Sequence, residues 1–69
     1  MVHTLKNQWI QVDGGRLHFF DERGVVIGEL FKDSQNWWIG VARTFNGPTK
    51  GTFAEKKRAK KFVEKNVPM

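Results

Sequence analysis

The sequence predicts an α+β fold: an antiparallel β-meander of four to five strands followed by one C-terminal α-helix packed on the sheet. Three observations predict it. Turn signals recur at short intervals through residues 8–52, the mark of strands joined by tight hairpins. The runs between them are rich in Val, Ile, Phe and Trp, side chains that suit a pleated surface. After Gly51 the apolar spacing changes from a period of two to a helical one. The chain reads as one small domain, 1–69, with strands within 8–52 and the helix at about 53–66.

The strands follow from the turns. Asp13–Gly15 separates Q-W-I-Q-V from R-L-H-F-F, and Asp21–Gly24 separates that run from V-V-I-G-E-L-F. Lys32–Asn36 precedes W-W-I-G-V-A-R-T-F, and Asn46–Pro48 precedes T-K-G-T. Gly, Asn and Asp tolerate the left-handed backbone that hairpin turns require. Strand geometry splits residues 37–45 into two rows: Trp37, Ile39, Val41, Arg43 and Phe45 on one face, Trp38, Gly40, Ala42 and Thr44 on the other. The first row is bulkier and suits a core. The second is small and would let a helix approach closely. Both assignments stay open on the sequence. Gly28 and Gly40 fall mid-strand, where a bulge or a close packing partner is expected.

The helix has its own signals. Thr52-Phe53-Ala54-Glu55 matches a capping box, with Thr52 as N-cap. Phe53, Ala59, Phe62, Val63 and Asn66 form a narrow stripe, and Pro68 ends the run. Lys60 and Glu64 stand at i,i+4, in the less favourable order. The lysines gather late in the helix, where the backbone dipole favours cations.

A chain of 69 residues buries only about 60% of the surface its unfolded form exposes, so the core is small. Nine aromatics supply much of it: Trp9, Trp37, Trp38, Phe19, Phe20, Phe31, Phe45, Phe53 and Phe62. There is no cysteine, hence no disulfide and no thiolate metal site. No apolar run approaches the roughly 18 residues of a membrane span, and M-V-H-T-L-K-N-Q lacks a signal-peptide core. A soluble, cytoplasmic protein without membrane association is expected.

Enzyme chemistry is not in evidence. Ser34 lies in a turn with no activating histidine nearby. His3 and His18 would need carboxylates from distant turns to hold zinc. Asp13, Asp21, Glu22, Glu29 and Asp33 fall mostly at turns, and no glycine spacing matches a phosphate loop. The expectation is a non-enzymatic protein with no cofactor and no metal.

The net charge of +5 is local. The helix carries Lys56, Lys57, Arg58, Lys60, Lys61 and Lys65 against Glu55 and Glu64, whereas the remaining cations and carboxylates nearly balance. A cationic face attracts polyanions. Two surfaces compete for that role: the helix face with Lys56, Lys57, Arg58, Lys60 and Lys61, and the sheet with Arg16, Lys32, Arg43 and Lys50 near Trp37 and Trp38. Aromatics beside cations can stack on bases while the cations neutralise phosphates. The plainer readings are a solvated lysine face and a tryptophan pair contributing to the core. Arg43 stands in phase with Trp37, Ile39 and Val41, so it either ends a core row or sits on a ligand face.

Residues 37–62, W-W-I-G-V-A-R-T-F-N-G-P-T-K-G-T-F-A-E-K-K-R-A-K-K-F, resemble the strand–strand–helix end of two DNA-binding types. These are the plant ethylene-response-factor domain and the arm-site-binding domain of phage-type integrases. Gly51, Phe53 and Ala59 hold the positions of their G-x-F and helix alanine. The resemblance implies a sheet that enters the major groove with the helix behind it. It implicates Arg43, Lys50 and Trp37 or Trp38 in that contact. Those families carry several arginines on the sheet, whereas most charge here is on the helix. With the earlier Ile27–Leu30 strand, the same ending resembles small phage and prophage proteins, which implies the fold and no defined activity.

The leading expectation is a small basic DNA-binding module, possessing phage-type kinship, that contacts nucleic acid through Arg43, Lys50, Trp37, Lys56, Lys57, Arg58, Lys60 and Lys61. The alternative is an interaction factor that docks on an acidic surface of a host protein. A monomer or weak dimer fits either.

Overall fold

The computed structural model describes residues 7–67. Five strands, β1 (Gln8–Gln11), β2 (Leu17–Phe20), β3 (Val26–Lys32), β4 (Trp38–Thr44) and β5 (Gly47–Phe53), precede one helix, α1 (Lys56–Asn66). The strands form one antiparallel sheet in chain order, and the helix packs on it against β3, β4 and β5. The α+β meander is therefore the observed architecture. His3 and Pro68 lie outside the described residues.

Two hairpins use the same device. Asp21 begins the β2–β3 connection, and one of its carboxylate oxygens accepts from the backbone N–H of Arg23 at 2.8 Å and of Val25 at 3.0 Å. Asp33 repeats this between β3 and β4, accepting from Gln35 and Trp37 at 2.8 and 2.9 Å. The left-handed position is Gly24 (φ 82°) in the first turn and Asn36 (φ 67°) in the second. A short side-chain acceptor satisfies amides that the turn leaves without partners.

The β4–β5 turn lies one residue earlier than the N-G-P signal suggests. Phe45 and Asn46 form it, while Gly47 and Pro48 already belong to β5. The Thr44 hydroxyl donates to the Gly47 carbonyl, which ties the residue before the turn to the residue after it. Pro48 is tolerated because β5 is an edge strand.

The helix also starts later than the capping-box pattern suggests. Thr52 pairs with Ile39 and Phe53 with Trp38, so both are held extended at the end of β5. Thr52 is therefore not the N-cap. Glu55 is, with no side-chain capping bond, and its carboxylate lies 3.4 Å from Arg58 instead. At the other end Val67 is extended (φ −73°, ψ 152°), as the residue before a proline prefers.

The faces of the sheet are decided by the small residues. Cross-strand pairing aligns Trp9, Phe19, Gly28, Ala42 and Thr49 in one row and Leu17, Leu30, Gly40 and Gly51 in the next. These rows are bulky towards β1 and β2 and, Leu30 apart, small across β3 to β5. The helix lies in the resulting trough. A Cβ on Gly28 would collide with the Cγ1 of Val63, and one on Gly40 would meet the Ala59 carbonyl and Val63 at 3.0 Å. Gly51 leaves room for the Phe53–Phe62 pair, whose rings are 5.3 Å apart. Ala59, Val63 and Val67, four residues apart, are buried with Phe19, Leu30 and Ala42. A bulge against Phe19–Phe20 leaves Ile27 unopposed, and Ile27 joins this core.

Candidate nucleic-acid interface

Because the helix takes the Trp38–Gly40–Ala42 row, the opposite row of β4 is left without a covering layer. Pairing aligns Ile10, His18, Glu29, Val41 and Lys50 across all five strands on that face, with Phe31, Ile39 and Thr52 in the next row and Arg43 beside Pro48. Arg43 and Lys50 are both exposed, on adjacent strands and one row apart. Trp37 is 43% exposed at the other end of the β4 row, its amide held by Asp33. Arg16 lies over the Phe31 ring, 4.9 Å from its centroid. The face thus presents Arg16, Arg43 and Lys50 among apolar side chains.

Glu29 is its central carboxylate. The His18 Nε2 lies 3.4 Å from it, and both side chains are about a quarter to a third exposed. Arg43 makes no ion pair among the described residues. Glu29, Val41, Arg43, Thr44 and Pro48 line a hollow of about 400 Å³ at the β4–β5 hairpin. Phe45, the residue after Thr44, is 93% exposed.

The helix cations form a separate layer. Lys56, Lys57, Arg58 and Lys61 are exposed, and Lys60 is half-buried. Lys32 and Trp38 belong to this side, not to the sheet surface that the sequence grouped them with. Lys32 and Trp38 are cross-strand partners on the helix-bearing face, and the ammonium groups of Lys32 and Lys56 lie 5.3 and 5.5 Å from the Trp38 ring. Lys60 lies 5.8 Å from the Trp9 ring, whose N–H donates to Glu64 at 2.8 Å. Lys60 and Glu64 therefore both turn to Trp9, and they form no ion pair with each other among the described residues. The candidate residues divide into two groups: Arg43 and Lys50 on the uncovered sheet face, with Trp37 exposed just before β4, and Lys56, Lys57, Arg58, Lys60 and Lys61 on the helix.

Glu29 and Phe45 were not read as site residues: Glu29 was grouped with the turn carboxylates and Phe45 with the core aromatics, whereas Glu29 lies within β3 and Phe45 is exposed. A large aromatic between Thr44 and Asn46, directly before an Asn-Gly pair, was the available signal for Phe45. Glu29 had none, because its importance depends on which strand faces share a hollow. Among the described residues no three His, Cys, Asp or Glu side chains converge as metal ligands, and no helix is long and apolar enough to cross a membrane.

The fold and this surface define a class: a five-strand meander backed by one helix on one face, with a cationic, aromatic second face uncovered. No family model, curated protein or solved structure matches the chain.

Proposed function

We propose that the protein is a small nucleic-acid-binding module that lays the uncovered sheet face on single-stranded DNA. The observation that carries this reading is the shared exposure of Arg43 and Lys50 on the face opposite the helix, with the exposed Trp37 just before β4. Arg16 adds a third cation there. Cations one row apart suit successive phosphates, and exposed rings suit unstacked bases. Width favours a single strand over a duplex. Five strands at about 4.8 Å spacing span about 19 Å, against a major groove about 12 Å wide. Only an edge of such a sheet fits the groove.

The test is a titration of labelled protein with a DNA oligonucleotide, followed by NMR at low and then raised salt. Shifts concentrated on Arg43, Lys50, Trp37 and Val41 are expected. Three phosphate contacts on a single strand give a salt slope of about −2. No saturable change at low salt overturns the reading.

A second reading rests on the other layer. Lys56, Lys57, Arg58 and Lys61 are exposed together on the helix and would suit an acidic protein surface. Shifts confined to Lys56–Lys61 with DNA, weak and unsaturated, favour it.

A further inference from the structure

We infer that the hollow at the β4–β5 hairpin is a nucleobase pocket that prefers guanine; this rests on the single-strand reading above and adds a base preference to it. Three observations converge. First, Glu29 and Arg43 line the same hollow yet make no ion pair with each other, so among the described residues the guanidinium has no ion-pair partner and the carboxylate's one ion contact is to His18. His18 holds the Glu29 carboxylate from the β2 side. Second, the walls are apolar where a base would lie: Val41 and Pro48 flank the two charges. Third, Phe45, which follows the lining residue Thr44 in the chain, is 93% exposed and so offers a free ring on which a neighbouring base could stack.

The volume fits a small heterocycle. About 400 Å³ lies in the range of small-ligand pockets, roughly 300–1,000 Å³. The donor pattern selects among bases. A guanidinium fork pairs with two adjacent acceptors, and a carboxylate pairs with two adjacent donors. Guanine presents O6 and N7 as adjacent acceptors, and N1–H and N2–H as adjacent donors. Adenine and thymine lack at least one of these pairs. Cytosine offers two acceptors but a single exocyclic amine. Guanine alone satisfies Arg43 and Glu29 with two bonds each. A base inside a duplex cannot enter a hollow, so the pocket requires a strand whose base is free to turn out.

Fluorescence anisotropy on thymine strands about ten nucleotides long, carrying one central dG, dA or dC, tests the preference. The dG strand is expected to bind at least about fivefold more tightly than the others, and Glu29→Gln to remove that difference. Arg43→Gln, an exposed change, is expected to remove it too, with the dispersion of the NMR spectrum checking the fold of both variants. Equal affinity for all three strands overturns the guanine pocket and leaves the sheet-face reading standing. If no strand binds, the sheet-face reading fails, and guanosine monophosphate decides the pocket alone. Saturable shifts at Glu29, Val41 and Arg43 would support it, and none would overturn it.

Discussion

The indole N–H of Trp9 donates to the Glu64 carboxylate at 2.8 Å, joining the first strand to the last turns of the helix across 55 residues of sequence. The same indole stacks on Phe19, its cross-strand partner, at 4.6 Å. β1 is only four residues long and lies at the sheet edge. This bond is one of its few attachments to the helix. Trp9→Phe keeps a ring against Phe19 and deletes the donor. The expected loss is about 1 kcal/mol, because the bond is charge-assisted but exposed. Urea denaturation of Trp9→Phe, Glu64→Gln and the double variant checks it. Additive losses in that cycle would show that the two side chains do not interact.

At Gly28 a helix side chain presses directly on the sheet backbone. A Cβ added there would run into Val63 and approach the Val41 carbonyl at 3.2 Å and Phe19 Cβ at 3.3 Å. Neighbours on three sides leave no direction in which to relax. Gly28→Ala is expected to destabilise by about 1–3 kcal/mol, read as a lowered urea midpoint at unchanged slope. A wild-type midpoint would mean the helix is not seated in the glycine trough.

Asp21 titrates below its ordinary value of 3.8. The main cause is the Val25 amide that its carboxylate accepts from; the Arg23 amide and guanidinium add to it, while desolvation opposes. A depressed folded-state pKa stabilises the protein above the unfolded value and loses that contribution as pH falls through the folded one. Stability is therefore expected to drop more steeply below pH 3.8 in the wild type than in Asp21→Asn. Parallel acid curves for the two proteins would contradict this. In the wild type the amide shifts of Arg23 and Val25 should follow the Asp21 titration.

The two cationic layers are separable by charge removal. On thymine strands, which offer Arg43 no guanine edge, Arg43→Ala with Lys50→Ala is expected to flatten the salt slope of binding by about 1.4, two contacts at about 0.7 each. Lys57→Ala with Lys61→Ala, on the other layer, should leave that slope in place. The reverse pattern would move the nucleic-acid surface to the helix.

Much of the fold was legible because it depends on local chemistry. Aspartate and glycine turns marked the hairpins, and the change of period after Gly51 marked the helix. Where local signals competed, non-local pairing won. Thr52-Phe53-Ala54-Glu55 reads as a capping box, but the ladder with Ile39 and Trp38 keeps Thr52 and Phe53 extended. Val67 sits in the core four residues beyond Val63, although it lies past the stripe ending at Asn66. The candidate site was legible only in part. Arg43 and Lys50 were visible as sheet cations, but Lys32 and Trp38 were grouped with them and belong to the helix side.

The sequence by itself determined the strand–turn rhythm, the amphipathic helix and the concentration of charge within it, since each arises from neighbours a few residues apart. The tertiary structure alone decided which face of the sheet the helix covers. Period-two alternation defines two faces without ranking them, and the choice fell to the small row because Gly28 and Gly40 let Val63 and Ala59 approach as bulkier side chains could not. That choice uncovers Arg43, Lys50 and Glu29 together, on three strands whose proximity no local pattern encodes.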